Sequence, residues 1–189
     1  MKKKINQIAS IFAGYTFRTA LKDDKNGTMS VIQARDVFSD NLYVDYSSLL
    51  KIDFKTTRSN SLVEKYDVLI SARGIFKASV FTEDDKNVIS SSSNYIIRLK
   101  DKNILPEYLA IYLNSIIGQK EINKNLSGGT IKTILRKDLG DIEIKIIDIE
   151  KQKKIINLYQ NNKKMQILLS RKKEIVNNIS EASIYNILK

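Results

Sequence analysis

Apolar residues recur along this chain with two different periods. Ile5, Ile8, Ala9 and Phe12 fall at the spacing of an amphipathic helix, with Gly14 placed to stop it. Residues 15–65 are mixed: short apolar pieces at Val31-Ile32 and Leu42-Tyr43-Val44 sit among polar stretches. They predict short strands joined by long loops, with a turn from Asp23 to Asn26 closed by Gly27. Tyr66 to Ser71 predicts the clearest strand, ended by Arg73-Gly74. Ser79-Val80-Phe81 and Val88-Ile89-Ser90 predict strands around an acidic turn, Glu83-Asp84-Asp85, and Tyr95 to Leu99 predicts another. Pro106 suits the first position of a helix. Leu109, Tyr112, Leu113, Ile116 and Ile117 make that helix's apolar face, and Gly118 ends or bends it. Gly128-Gly129-Thr130 reads as a loop. Ile142, Ile144 and Ile146 alternate with Glu143 and Lys145, the pattern of a half-buried strand.

After Ile149 the pattern changes. Residues 150–189 hold no Pro and no Gly, and Lys, Asn, Gln, Ile and Leu dominate. Ile155, Leu158, Met165, Leu169, Val176 and Ile179 keep the spacing of three and four of a coiled-coil seam, interrupted at Asn162 and Lys172. One long helix is predicted, ~60 Å at 1.5 Å per residue. It cannot bury that stripe alone, so it either pairs with another helix or folds back on its own domain. The expected organisation is a mixed α/β domain at 1–148 and a long helix at 149–189.

Composition narrows the chemistry. Apolar residues make up 42% and charged residues 28% of the 189 positions, a balance that supports a folded core rather than disorder. No apolar run approaches the ~18 residues of a membrane span. The basic start, Met1-Lys2-Lys3-Lys4, leads into a periodic polar stretch rather than a signal-peptide core, so a cytoplasmic protein is expected. Cys and His are both absent, which removes zinc–thiolate sites, cysteine nucleophiles, Ser-His-Asp triads and imidazole bases. The net charge of +11 points to a polyanion. Residues 150–189 carry +6 of it, on nine Lys or Arg against three Glu. That tail either meets phosphate or an acidic partner, or is a solvated lysine-rich face.

Several elements, taken in order, resemble the target-recognition domain of the specificity subunits of type I restriction–modification enzymes. Tyr66-Asp67-Val68-Leu69-Ile70-Ser71-Ala72-Arg73-Gly74 is similar to that family's Gly-Asp-Val-Leu-Ile strand and Arg-Gly element, with Tyr66 standing where the family has Gly. Ser90-Ser91-Ser92, Pro106-Glu107-Tyr108-Leu109, Tyr112-Leu113-Asn114-Ser115, Gly128-Gly129-Thr130 and Asp138-Leu139 follow in the family's order. Ile147-Asp148-Ile149-Glu150-Lys151-Gln152 replaces a proline-containing Glu-Gln segment before the long helix. Upstream, Gly14-Tyr15-Thr16-Phe17 resembles an early Gly-aromatic element and Val31-Ile32-Gln33-Ala34-Arg35-Asp36 the strand after it. The resemblance implies a mixed α/β target-recognition domain followed by one long helix that pairs as an antiparallel coiled coil. Full-length members resemble two such halves arranged about a pseudo-two-fold axis, so this chain resembles one half, able to restore the whole as a homodimer. It implies a non-catalytic, cofactor-free subunit that reads double-stranded DNA. The implied partners are DNA-adenine methyltransferase subunits that bind S-adenosylmethionine, and a motor–nuclease subunit.

The residue types agree with DNA reading. Arg18, Arg35, Arg58, Arg73 and Arg136 come from loops or strand ends, where Arg pairs with guanine or neutralises phosphate. Gln33, Asn60 and Asn94 are of the type that reads adenine. Lys77, Ser92, Thr130 and Lys132 complete the candidate set. Each can equally be a solvated charge or a structural hydrogen bond, and Gly128-Gly129-Thr130 can approach a phosphate or be an ordinary turn. Two other readings stay open. Glu143 and Lys145 form the Glu-x-Lys half-motif of metal-dependent nucleases, which with an upstream Asp would hold Mg²⁺. A regulator that docks through its helix on a restriction complex, without reading sequence, would also fit. The Asn/Asp-Pro-Pro motif of adenine methylases is absent, since Pro106 is the one proline.

Overall fold

The three lysines that open the chain form a strand. The computed structural model describes residues 1–37, 41–56 and 59–189. In chain order, the first part holds β1 (Lys2–Lys4), α1 (Ile5–Ile8), β2 (Ala9–Ala13), β3 (Met29–Ile32), α2 (Ala34–Val37), β4 (Leu50–Ile52) and β5 (Val68–Ser71). Then come β6 (Ala78–Val80), β7 (Val88–Ser90), β8 (Asn94–Leu99), α3 (Pro106–Asn114) and α4 (Ile116–Lys124). The last are β9 (Leu126–Ser127), β10 (Thr133–Ile134), α5 (Arg136–Asp141), β11 (Glu143–Lys145) and α6 (Ile149–Leu188). The fold is mixed α/β with a long C-terminal helix. It divides into two compact units, Met1–Gln152 and Lys153–Lys189.

Two sheets organise the first unit. An antiparallel sheet runs β2-β8-β5-β6, and a three-stranded sheet runs β4-β3-β7, with β3 antiparallel to β4 and parallel to β7. All four residues of β3 are buried, because both faces of its sheet are covered. Alternation then divides its side chains. Ile32 packs with Val88, Leu69, Ile96 and Phe81 in one apolar cluster, while Met29 and Val31 pack with Ile52 and Ile89 in another.

β1 pairs antiparallel with β11, Lys2 opposite Lys145 and Lys4 opposite Glu143. Each lysine of β1 meets a carboxylate: Lys2 with Glu143 at 3.1 Å, Lys3 with Asp101 at 2.7 Å and Lys4 with Asp141 at 2.9 Å. Lys3, together with the Asn103 backbone N–H, holds the Asp101 carboxyl down at about 2.

Two sequence expectations are corrected. The helix over 5–12 is a single turn, α1, followed by a strand. Ile5, Ile8 and Ala9 are buried as the helical spacing requires, but β2 finds five partners on β8, from Ala9 opposite Leu99 to Ala13 opposite Tyr95. A strand ladder on a buried neighbour outweighs a short helix with a costly nucleus. The helix from Pro106 also ends earlier than its apolar pattern suggests. Ser115 breaks it, its hydroxyl accepting the Gly118 N–H as the cap of α4, so Gly118 lies inside a second helix. Ile116 and Ile117 are consequently exposed.

Candidate nucleic-acid interface

One loop, Ser91–Ser93, fastens three cation-bearing segments at the end of the two sheets. The Tyr15 N–H donates to Ser90 O at 2.7 Å, and the Ser92 N–H donates to Tyr15 O at 2.8 Å. A β-carbon on Gly14 would lie 2.0 Å from Ser91 O, so only glycine allows this approach. The Ser91 N–H donates to Ile32 O at 2.9 Å and the Ala34 N–H to Ser93 Oγ at 3.1 Å. The Ala72 N–H donates to Ser93 O at 2.8 Å. Arg18, Arg35 and Arg73 each lie within three residues of one of these anchors, and all three are exposed.

A hairpin extends the same edge. β9 and β10 pair antiparallel around Gly128-Gly129-Thr130. Arg73 bridges Thr133, the Gly74 N–H donates to Lys132 O at 2.9 Å, and the Ile134 N–H donates to Ala72 O at 3.1 Å. Thr130 and Lys132 are exposed on the hairpin, and Lys132 Nζ donates to Gly128 O at 3.2 Å. Arg136 is exposed at the start of α5, two residues past the hairpin. Gln33 and Ser92 are half-buried beside the anchors, and Lys77 is half-buried where the loop from Ser71 returns to β6. Arg35 lies 3.7 Å from Asp36, whose carboxylate accepts the Gln33 N–H at 2.7 Å. Burial pushes the Asp36 carboxyl up, against the pull of these two neighbours.

Three candidates stand apart. Asn94 is corrected: it is 0% exposed, and its Nδ2 donates to Ile32 O and Ser90 Oγ at 3.3 Å, so it braces the loop instead of facing a base. Asn60 is exposed on a short 3-10 turn, Ser59–Ser61, that is tied to β7 through Leu62 and Val63 and not to the Ser91–Ser93 loop. Arg58 lies outside the described residues. Glu143 is occupied by Lys2, and among the described residues no group of three or more carboxylates is placed to hold a metal ion. Also among them, no helix is long and apolar enough to cross a membrane.

Sequence reading missed two features of this edge. Tyr15, Phe17 and Phe54 form a ring cluster with centroids 4.9 to 5.4 Å apart, flooring a cavity of about 610 Å³ that Arg18 and Lys22 also line. Ile75 and Ile131 stand 62% and 65% exposed between the candidate cations. Phe54 lies 37 residues from Phe17 and 39 from Tyr15, so no local pattern joins it to them.

A family model described as the type I restriction modification DNA specificity domain matches residues 1–178. The chain belongs to that family. Solved structures share its fold. The S subunit of a type I restriction–modification system from M. genitalium is 20% identical, with a TM-score of 0.55 over 84% of this chain and 37% of that one. The HsdS subunit from Thermoanaerobacter tengcongensis is 17% identical, with a TM-score of 0.62 over 90% and 39%. A chain from a structure describing complex assembly and conformational transition of the type I R-M system is 17% identical, with a TM-score of 0.66 over 90% and 40%. The specificity domain thus spans about two fifths of the length of these chains. No curated protein matches it in sequence.

The motif residues of the specificity domain hold the frame. Tyr66 takes φ +71°, the left-handed region natural to glycine. Asp67 is buried and accepts two bonds from Arg98, Nε at 2.9 Å and Nη2 at 2.8 Å, with the Glu64 N–H at 2.7 Å. Burial pushes the Asp67 carboxyl up, while Arg98 and the Glu64 N–H pull it down. Asn114 bonds both the N–H and the carbonyl of Ala78, at 2.8 and 2.7 Å, docking α3 on β6. Gln152 is fully buried in the first turn of α6. Its Oε1 accepts the Leu105 N–H at 2.9 Å, and its Nε2 donates to Asn103 O and Ile147 O at 2.7 and 2.8 Å.

Proposed function

We propose that this chain reads DNA sequence on behalf of the catalytic subunits of a type I restriction–modification assembly and does no chemistry itself. The observation that carries the reading is the convergence of Arg18, Arg35, Arg73 and Lys132, from four separate segments, on the edge organised by Ser91–Ser93, in a chain of the specificity family. Such an edge supplies phosphate-neutralising cations and bidentate donors for guanine from a frame that is already hydrogen-bonded. Residues 1–148 act as the reading domain and 149–189 as the helix that dimerises and spaces two copies. The exposed seam supports this: Leu158, Met165, Leu169, Val176 and Ile179 are each more than half exposed in the single chain. The partners are a DNA-adenine methyltransferase, which brings S-adenosylmethionine, and in restricting systems a motor–nuclease, all acting in the cytoplasm. The chain itself binds no cofactor.

Methylation mapping of the source genome with and without the gene tests this reading. One modified motif should disappear on deletion and return with the wild-type chain. Complementation with Arg73→Ala should relax or abolish it, and a motif unchanged by deletion would end the proposal.

A further inference from the structure

We propose that Ile75 and Ile131 read the 5-methyl groups of thymine in the major groove; this rests on the DNA-reading function proposed above. The Arg73–Thr133 bridge and the bond from the Gly74 N–H to Lys132 O hold together the two loops that carry Ile75 and Ile131, each isoleucine one residue beyond that bond in its own loop. Both side chains are more than three-fifths exposed, on an edge whose other exposed side chains include Arg73, Thr130 and Lys132. Exposed isoleucine gains nothing from water, and its branched side chain is stiff at χ1, so it presents a fixed apolar surface. The cations on either side are placed to meet phosphates, which leaves the isoleucines facing what lies between the strands. The thymine methyl is the apolar group that the base edges offer there. Both loops are fastened before DNA arrives. Ser71 Oγ bonds Ile75 O, and the hairpin is tied to Ala72 and Gly74, so little ordering is required on binding. Charge complementarity with the flanking cations favours a duplex over an apolar protein surface.

The test uses the full chain assembled with its methyltransferase subunit. Once the half-site is mapped, each of its thymines is replaced singly by deoxyuridine, which removes the methyl and leaves every hydrogen-bonding group. Wild type should bind about fourfold more weakly at one or two of these positions, the worth of one buried methyl group. Ile75→Ala and Ile131→Ala should each abolish that sensitivity at one position, with unchanged circular dichroism and unchanged affinity for nonspecific duplex. A half-site without thymine, or uracil sensitivity that survives both substitutions, overturns the proposal. Specific binding that is blind to uracil overturns it while leaving the DNA-reading function intact. Loss of all sequence preference in the wild-type complex overturns both.

Discussion

Tyr66 holds a backbone conformation that costs a side-chain-bearing residue roughly 1–2 kcal/mol. Its side chain is 52% exposed, with the Lys65 ammonium over the ring, so packing repays only part of that cost. Tyr66→Gly should therefore stabilise the domain by about 0.5 kcal/mol after the entropy of the more flexible glycine is deducted, and Tyr66→Val should destabilise it; urea unfolding decides both signs. Next to it, Asp67 and Arg98 form an ion pair in which the carboxylate is buried and the guanidinium is one-quarter exposed. Asp67→Asn should cost about 3 kcal/mol, and adding Arg98→Met should recover part of that loss in a double-mutant cycle. Asp101 behaves differently because it is depressed. Its pairing with Lys3 stabilises the fold fully above the ordinary carboxylate range near pH 4, and the contribution is lost as pH falls through about 2. Asp101→Asn should then lower the unfolding midpoint at pH 6 and make no difference below pH 2. The placement of the candidate residues was half legible at this scale. Arg73, Arg35 and Lys132 are recognisable by residue type, but Asn94 carries the same amide as a base-reading residue and is buried. Only its burial and the bond that its Nδ2 donates to the distant Ile32 O distinguish it.

Among the elements, those with strong patterns were readable: the strand ending at Ser71, the one beginning near Tyr95, the helix opening at Pro106 and the long helix from Ile149. Residues 5–12 were not, because Ile5, Ile8 and Ala9 satisfy a helical stripe and a turn-plus-strand equally well, and β8 decides between them. The break at Ser115 was also hidden, since the apolar pattern runs straight through it. The seam of α6 makes its own prediction. Leu169 and Val176, seven residues apart, occupy the same heptad position, and Leu168 and Ile175 beside them are exposed too. Leu169→Lys with Val176→Lys should give a folded monomer by light scattering with unchanged β-sheet signal. A wild type already monomeric at tens of micromolar would remove the support for a helix-mediated dimer.

For the whole molecule, two identical reading domains related by a two-fold axis would require a palindromic target interrupted by a gap. In that arrangement the 40-residue helix, ~60 Å long, would limit half-site centres to roughly 18 base pairs apart. Lengthening it by seven residues should shift the preferred gap and leave the half-site unchanged, as methylation mapping on a random-sequence library would show. An asymmetric motif from the homodimer would rule the symmetric arrangement out. The pairing of Lys2–Lys4 with Glu143–Lys145 has a consequence of another kind, in time. On the ribosome, β1 must wait for β11, made some 140 residues later, before it finds its partner. Until then Lys2 lacks Glu143 and the backbone of β1 lacks its ladder, even though Lys3 can already meet Asp101. Docking of β1 is thus held back until the long helix is about to be made, and nascent chains arrested before residue 143 should be cut by protease near Lys2–Lys4, while those arrested well inside α6 resist.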